Sequence, residues 1–257
     1  MIRRLLNRGV PRVPSGHRIY AIGDIHGRFD LLADLITKIA DEQSALLPMR
    51  THIVFLGDLI DRGPDSQQVI QLVRWNERNK ARIIALKGNH EEIMVDAWRG
   101  NAEALTGWLA YGGIDTLVSF GAERDAIDPD RTEDMLALVR RTVPKDLIDW
   151  VDRLPLIWQC GDYAFVHAGI RPGLPLDRQE AADLLWIRNE FLDFADRHER
   201  VIVHGHTVTK NVEIRVNRIG IDTGAYASGR LSALCLCGSE QRVICTGRPV
   251  LPGEVRA

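Results

Sequence analysis

The order of apolar patterns along this chain predicts an α/β fold. Three observations carry the prediction: short apolar runs are continuous rather than alternating, segments of helical period lie between them, and most runs end in glycine plus a polar residue. Continuous runs mark strands covered on both faces, and a strand, helix, strand, helix, strand order places them in a sheet flanked by helices.

The runs are Arg18 to Gly23, Ile53 to Gly57, Ile83 to Gly88, Ala164 to Gly169 and Val201 to Gly205. After Gly27, the residues Phe29, Leu32, Ala33, Ile36, Ile39 and Ala40 recur at offsets of three and four, which predicts a helix with one apolar stripe. Pro64 precedes a second predicted helix, Asp65 to Asn79, with Val69, Ile70, Leu72 and Val73 inside it. From about 91 to 153 the pattern turns largely helical, broken at Gly112-Gly113 and at Asp128-Pro129-Asp130, and reads as an insertion between strands. Glu213 to Val216, Gly220 to Asp222 and Leu231 to Leu236 predict further strands. With no repeat and no linker, residues 18–257 are expected to form a single domain behind a flexible basic arm, residues 1–17.

Composition narrows the function classes. The 257 residues carry 33 basic and 35 acidic side chains, a formal charge of -2, so no overall field favours nucleic acid or an anionic membrane. Ile2, Leu5 and Leu6 are too short an apolar stretch for a signal core or a membrane span. Cys160, Cys235, Cys237 and Cys245 lack C-x-x-C spacing, and without a secretory signal they point to a reducing, cytoplasmic setting. No G-x-x-x-x-G-K-[ST] motif occurs, which argues against a P-loop ATPase.

In a mostly parallel sheet, ligands bind beyond the carboxyl ends of the strands. The predicted strand ends here deliver Asp24 with His26, Asp58, Asn89, His167 and His206. Carboxylate and amide oxygens mixed with imidazole nitrogens suit manganese, iron, zinc or cobalt better than magnesium, which prefers an all-oxygen octahedron.

Five blocks carry a resemblance: Gly23-Asp24-Ile25-His26-Gly27, Gly57-Asp58-Leu59-Ile60-Asp61-Arg62-Gly63, Gly88-Asn89-His90-Glu91, His167-Ala168-Gly169 and Gly205-His206-Thr207. One block alone is weak evidence, whereas the five in order, each after a predicted strand, are highly specific. The chain resembles the calcineurin-like metallophosphoesterases, in their phosphoprotein phosphatase branch of bacterial and phage type, from Arg18 to about Leu236. The resemblance implies two mixed β-sheets sandwiched between helices. It implies one divalent metal on Asp24, His26 and Asp58 and a second on Asp58, Asn89, His167 and His206, most often manganese, with Asp58 bridging. It further implies direct attack of a hydroxide shared by the two metals on a phosphoryl group that Arg62, Arg188 and Asn89 hold. His90 is then the general acid and Asp61 the group that holds and polarises its ring. The implied substrate is a phosphoprotein or a phosphorylated small molecule.

Two substrates are compatible with this site. Serine/threonine phosphoester cleavage needs protonation of a poor leaving group, which the Asp61/His90 pair supplies. The related symmetrical dinucleoside tetraphosphatases resemble the chain around Tyr111-Gly112-Gly113 and His167-Ala168-Gly169, but commonly carry a small residue where Asp61 stands. A silent scaffold of the same fold is disfavoured because every expected ligand is present. His17, His52, His198 and His204 match no block and are expected to be structural; Val208 stands where the wider superfamily carries the second histidine of G-H-x-H. Glu91 and Glu92 are expected to favour the helix dipole, and Trp98, Trp108, Trp150, Trp158 and Trp186 to pack in the core, with Trp186 beside Arg188. The insertion and the 171–179 loop are expected to shape the substrate groove.

Overall fold

The computed structural model describes residues 9–79 and 82–247. Among the described residues, ten strands form two five-stranded mixed sheets. In the first, β1 (His17–Ile22) pairs in parallel with β2 (Arg50–Phe55), and β2 with β3 (Ile83–Ala85); β9 (Ser232–Cys237) pairs antiparallel with β1 and with β10 (Glu240–Cys245). The second sheet orders β4 (Ile157–Cys160), β5 (Tyr163–Val166), β6 (Val201–His204), β8 (Arg218–Gly220) and β7 (Glu213–Ile214), with β5, β6 and β8 parallel.

Side-chain alternation explains the continuous apolar runs. Along β1, Ile19 and Ala21 face the second sheet and meet Phe165, Val203 and Ile219, while Tyr20 and Ile22 face the helices. Burying a Leu, Ile or Phe side chain contributes about 1.5–3 kcal/mol, so a strand clad on both faces gains from nearly every residue. Behind the first sheet lie α1 (Phe29–Ala45) and α2 (Ser66–Asn79), and behind the second α8 (Ala181–Trp186) and α9 (Asn189–Leu192). The stripe of α1 is rotated from the expected one: Leu32, Leu35 and Ile39 are buried, whereas Ala33 and Ala40 face solvent. Leu35 is the larger apolar group and wins the core face.

Strands β4 and β10 were not expected from the sequence; their short, partly exposed patterns give little signal. The segment between β3 and β4 folds as α3 (Asn89–Arg99), α4 (Ala102–Trp108), α5 (Ile114–Ser119), α6 (Thr132–Thr142) and α7 (Lys145–Asp152). Residues 1–8 of the expected arm lie outside the described residues. From Arg12 the chain is docked rather than free: Arg12 N–H donates to Asp162 Oδ2 at 2.8 Å, Val13 N–H to the Gly238 carbonyl at 2.9 Å, and Val13 is buried.

Candidate active site

The loops after β1, β2, β3, β5 and β6 converge, and their backbone is unusual. His26, Asp58, Asp61, Arg62 and His206 all have positive φ, from 48° to 72°, a region that non-glycine residues rarely occupy. Among the described residues these are the non-glycine positions with that geometry. Each costs of order 1–3 kcal/mol, and their gathering in one place marks a site that the rest of the fold holds against strain. The Asp58 carbonyl accepts from Ile25 N–H and His26 N–H at 3.0 and 2.9 Å, which locks the first two loops together.

Asp24, His26, Asp58, Asn89, His167 and His206 meet in this cluster, all 0–7% exposed. His26 Nδ1 lies 2.9 Å from the Ile60 carbonyl and His167 Nδ1 2.9 Å from that of Leu56, so each Nδ1 carries the proton and each Nε2 a lone pair. Those lone pairs stand 3.5 Å from Asp58 Oδ2 and Oδ1 respectively. His206 Nδ1 approaches Asn89 Oδ1 at 2.8 Å and His167 Nε2 at 3.2 Å. Burial lowers the pKa of His26 and of His206 to about 3, so protonation does not relieve these contacts. Asp24 Oδ2 accepts from His206 N–H at 2.9 Å, while its buried Oδ1 has no hydrogen-bond partner. Burial, then the charges of Asp222 and Asp58, push the Asp24 pKa well up.

Imidazole lone pairs that face a carboxylate with no proton between them, as those of His26 and His167 face Asp58, are what cation ligands look like. Two groups, His26 with Asp58 and His90, and Asp58 with His167 and His206, each hold ligand atoms within 4.8 Å of one another, and Asp58 belongs to both. The donor set therefore fits a pair of divalent cations. Gly205 must be glycine, because a Cβ there would overlap Asp24 Oδ1.

Beside this cluster stands a second constellation. His90 Nδ1 lies 2.6 Å from Asp61 Oδ2, with both groups buried. Burial disfavours the His90 charge, but the Asp58 charge and the Asp61 hydrogen bond outweigh it and raise the imidazole to about 9. Asp61 is fastened by groups from far along the chain. Trp108 Nε1–H donates to both carboxylate oxygens at 3.0 Å, and Thr116 Oγ1 donates to Oδ1 at 2.6 Å. Trp108 was expected to serve packing alone, and Thr116 carried no sequence signal. Gly112, at φ 117°, presses on Arg62, where a Cβ would stand 2.6 Å from the Arg62 nitrogen. The insertion thus braces the Asp61-Arg62 pair from behind.

Glu91 does more than favour a helix dipole. Its buried carboxylate accepts from Asp58 N–H, Gly88 N–H and Leu59 N–H, each at 2.8 Å, so it holds the loop that carries Asp58. Glu92 accepts from Trp186 Nε1–H at 2.8 Å. Asp222 was missed: it follows β8, is buried, and crowds Asp24.

Arg62 Nη1 and Nη2 lie 3.1 and 3.2 Å from His26 Nε2 and His90 Nε2, and the guanidinium carbon sits 4.4 Å over the Tyr226 ring. Arg188 approaches from the opposite wall, its Nη1 3.4 Å from Thr207 Oγ1. Arg171 pairs with Asp183 at 2.7 Å and Glu190 at 2.8 Å, and so ties down the helices on either side of Arg188. His204 and His198 stay outside the cluster; His204 packs edge-on against Phe191, and His198 stacks on Phe191 and Phe194.

A buried pair of ligand groups sharing one carboxylate, flanked by two arginines and a charged imidazole, defines a metal-dependent phosphoester hydrolase. The sequence profile of the calcineurin-like phosphoesterases matches residues 17–226, and the chain belongs to that family. It is 29% identical over 223 residues to serine/threonine-protein phosphatase 2 of Escherichia coli (strain K12), covering 83% of this chain and 90% of that one. It is 27% identical over 232 residues to the asymmetrical bis(5'-nucleosyl)-tetraphosphatase PrpE of Anoxybacillus flavithermus (strain DSM 21510 / WK1), covering 83% and 88%. A solved structure of a putative diadenosine tetraphosphatase shares the fold, with TM-score 0.62 and 21% identity over 93% of this chain and 100% of that one.

Proposed function

We propose that this chain removes phosphate from phosphoserine and phosphothreonine in proteins. The observation that carries the reading is the buried His90/Asp61 pair at 2.6 Å, held by Trp108 and Thr116. A serine or threonine alkoxide is a poor leaving group and needs a proton as it departs, whereas a phosphoanhydride needs less help. The similarity to a serine/threonine phosphatase across 83% of the chain supports the same choice.

Asp24, His26 and Asp58 would hold one cation, and Asp58, Asn89, His167 and His206 the other. Manganese is the proposed metal, because the mixed oxygen and nitrogen donors suit a borderline first-row ion. When bound, such a pair would supply Lewis-acid charge and lower the pKa of water toward about 7. Arg62 and Arg188 bind the equatorial phosphoryl oxygens from two walls, in the fork geometry that guanidinium offers. Asn89 joins them through its side-chain amide. His90 Nε2 faces the cluster and carries the proton for the leaving oxygen, while Asp61 fixes the ring and stabilises its charge. Glu91 keeps Asp58 in place throughout.

All four cysteines are free thiols, which supports a reducing, cytoplasmic location. No helix among the described residues is long and apolar enough to cross a membrane. The deciding experiment compares manganese-supported kcat/KM on a phosphothreonine peptide and on diadenosine tetraphosphate. Preference for the peptide is expected; a large preference for the dinucleotide would overturn the reading.

A further inference from the structure

Next to the cluster lies a cavity of about 440 Å³ whose chemistry the reaction described above does not use. Its walls continue the two chain segments that carry His206 and Asp222: Val208 to Lys210 on one side, Thr223 and Gly224 on the other. Thr209 N–H donates to the Asp222 carbonyl at 3.0 Å and so pins the walls to each other. The short helix α10 (Ala225–Ser228) lends Ala227 and Ser228 to the lining, while its Tyr226 stands 5.3 Å from the His26 ring and beneath Arg62. One short helix thus lines the cavity and carries the ring on which the proposed phosphate-binding Arg62 rests.

The lining contains Lys210 and Arg230 and no carboxylate, in a chain whose overall charge is -2. The nearby hydroxyls are already used to stiffen the walls: Thr223 Oγ1 donates to the Arg230 carbonyl at 2.8 Å, and Ser228 Oγ to that of Thr223 at 2.7 Å. Arg230 donates to the Lys210 carbonyl and to Asn211 Oδ1, neutral acceptors that leave its charge uncompensated. Among the described residues no carboxylate pairs with Lys210. Rigid walls with two unneutralised cations favour an anion.

We propose that this cavity is a second anion subsite, holding a carboxylate or phosphate that the substrate carries beside the phosphate being cleaved. The proposal rests on the phosphatase reading and makes it narrower: the enzyme selects substrates with two anionic groups. The test compares the wild type with Lys210→Glu and Lys210→Arg. KM and kcat are measured, with manganese, on p-nitrophenyl phosphate, on a phosphothreonine peptide flanked by aspartates, on the same peptide flanked by glutamines, and on diadenosine tetraphosphate. In Lys210→Glu, the KM of the aspartate-flanked peptide or of the dinucleotide, taken relative to that of p-nitrophenyl phosphate, rises about tenfold, and Lys210→Arg restores it. A rise confined to the peptide assigns the subsite to carboxylates, and one confined to the dinucleotide assigns it to phosphate; both support the subsite. An equal change for every substrate, or none for any, overturns it. Calorimetric binding of tripolyphosphate to metal-free protein gives an arm independent of turnover, with affinity expected to weaken about tenfold in Lys210→Glu. Unchanged affinity there overturns the subsite. Loss of the phosphoprotein reading shows separately, in the wild type alone, as a large kcat/KM preference for the dinucleotide over both peptides.

Discussion

His90 Nδ1 and Asp61 Oδ2 stand 2.6 Å apart in the protein interior, and the carboxylate is held by an indole and a hydroxyl from a segment about fifty residues further on. His90→Asn removes the proposed proton donor and leaves the ring's neighbours in place. Turnover of a phosphopeptide is expected to fall by about 10²- to 10⁴-fold, with both metals retained. Metal content by elemental analysis checks the role, because His90 also lies within reach of the His26 and Asp58 ligand atoms. Loss of one metal would make it a ligand instead of an acid.

The same pair sets the alkaline limb. The His90 pKa is raised from 6.5 to about 9, so the imidazolium is present below that value and lost above it. The kcat profile of the wild type should decline above about pH 9, and the decline should vanish in His90→Asn. The sign for stability follows: the ion pair contributes fully below 6.5, and its contribution fades as pH rises through about 9.

Trp108→Phe keeps the ring that packs on Gly113 but deletes the N–H that serves both Asp61 oxygens. A buried carboxylate that loses this donor should lower unfolding stability by about 1–3 kcal/mol. Because the arginines proposed to bind substrate are untouched, kcat should drop while KM stays near its wild-type value. A chemical denaturation curve and a steady-state measurement together check both parts.

Chelation should lower the melting temperature reversibly. Manganese at about 100 times its Kd stabilises by about 2.7 kcal/mol per site. Asp58→Asn, at the carboxylate common to both ligand groups, should abolish the manganese-dependent shift, whereas Asp24→Asn should leave part of it.

His198 is stacked between Phe191 and Phe194, and its buried Nε2 has no partner. Burial lowers its pKa from 6.5 to about 4, so the unfolded chain takes up a proton first on acidification. Stability should fall between about 6.5 and 4 on this account. His198→Phe should raise the melting temperature more at pH 5 than at pH 8; equal shifts would mean that this histidine does not drive the acid limb.

Much of the candidate site was legible because each proposed ligand lies just after a strand. The glycine after an apolar run signals both a strand end and a turn, and the polar residue beside it must lie at the sheet's edge, as Asp24, Asp58 and His206 do. What supports those residues was not legible. Trp108 and Thr116 reach Asp61 through the packing of α4 and α5, and no local pattern separates an indole that donates to a buried acid from one that only fills space. Asp222 is adjacent to Asp24 only because β8 joins the second sheet beside β6, a long-range pairing that periodicity does not encode. The left-handed backbone of Asp58 and Arg62 was hidden likewise, since these residue types give no warning of it.

Since the excursion between β3 and β4 grips Asp61 from behind, a segment expected to shape the substrate groove is also scaffold for the proposed acid. A graft of the corresponding segment from a relative, made to redirect specificity, would bring its own indole and hydroxyl or none, and so would retune proton delivery whether or not that was wanted. Exchanges limited to the outward faces of α6 and α7 spare this coupling, which makes them the parts of the excursion open to independent change.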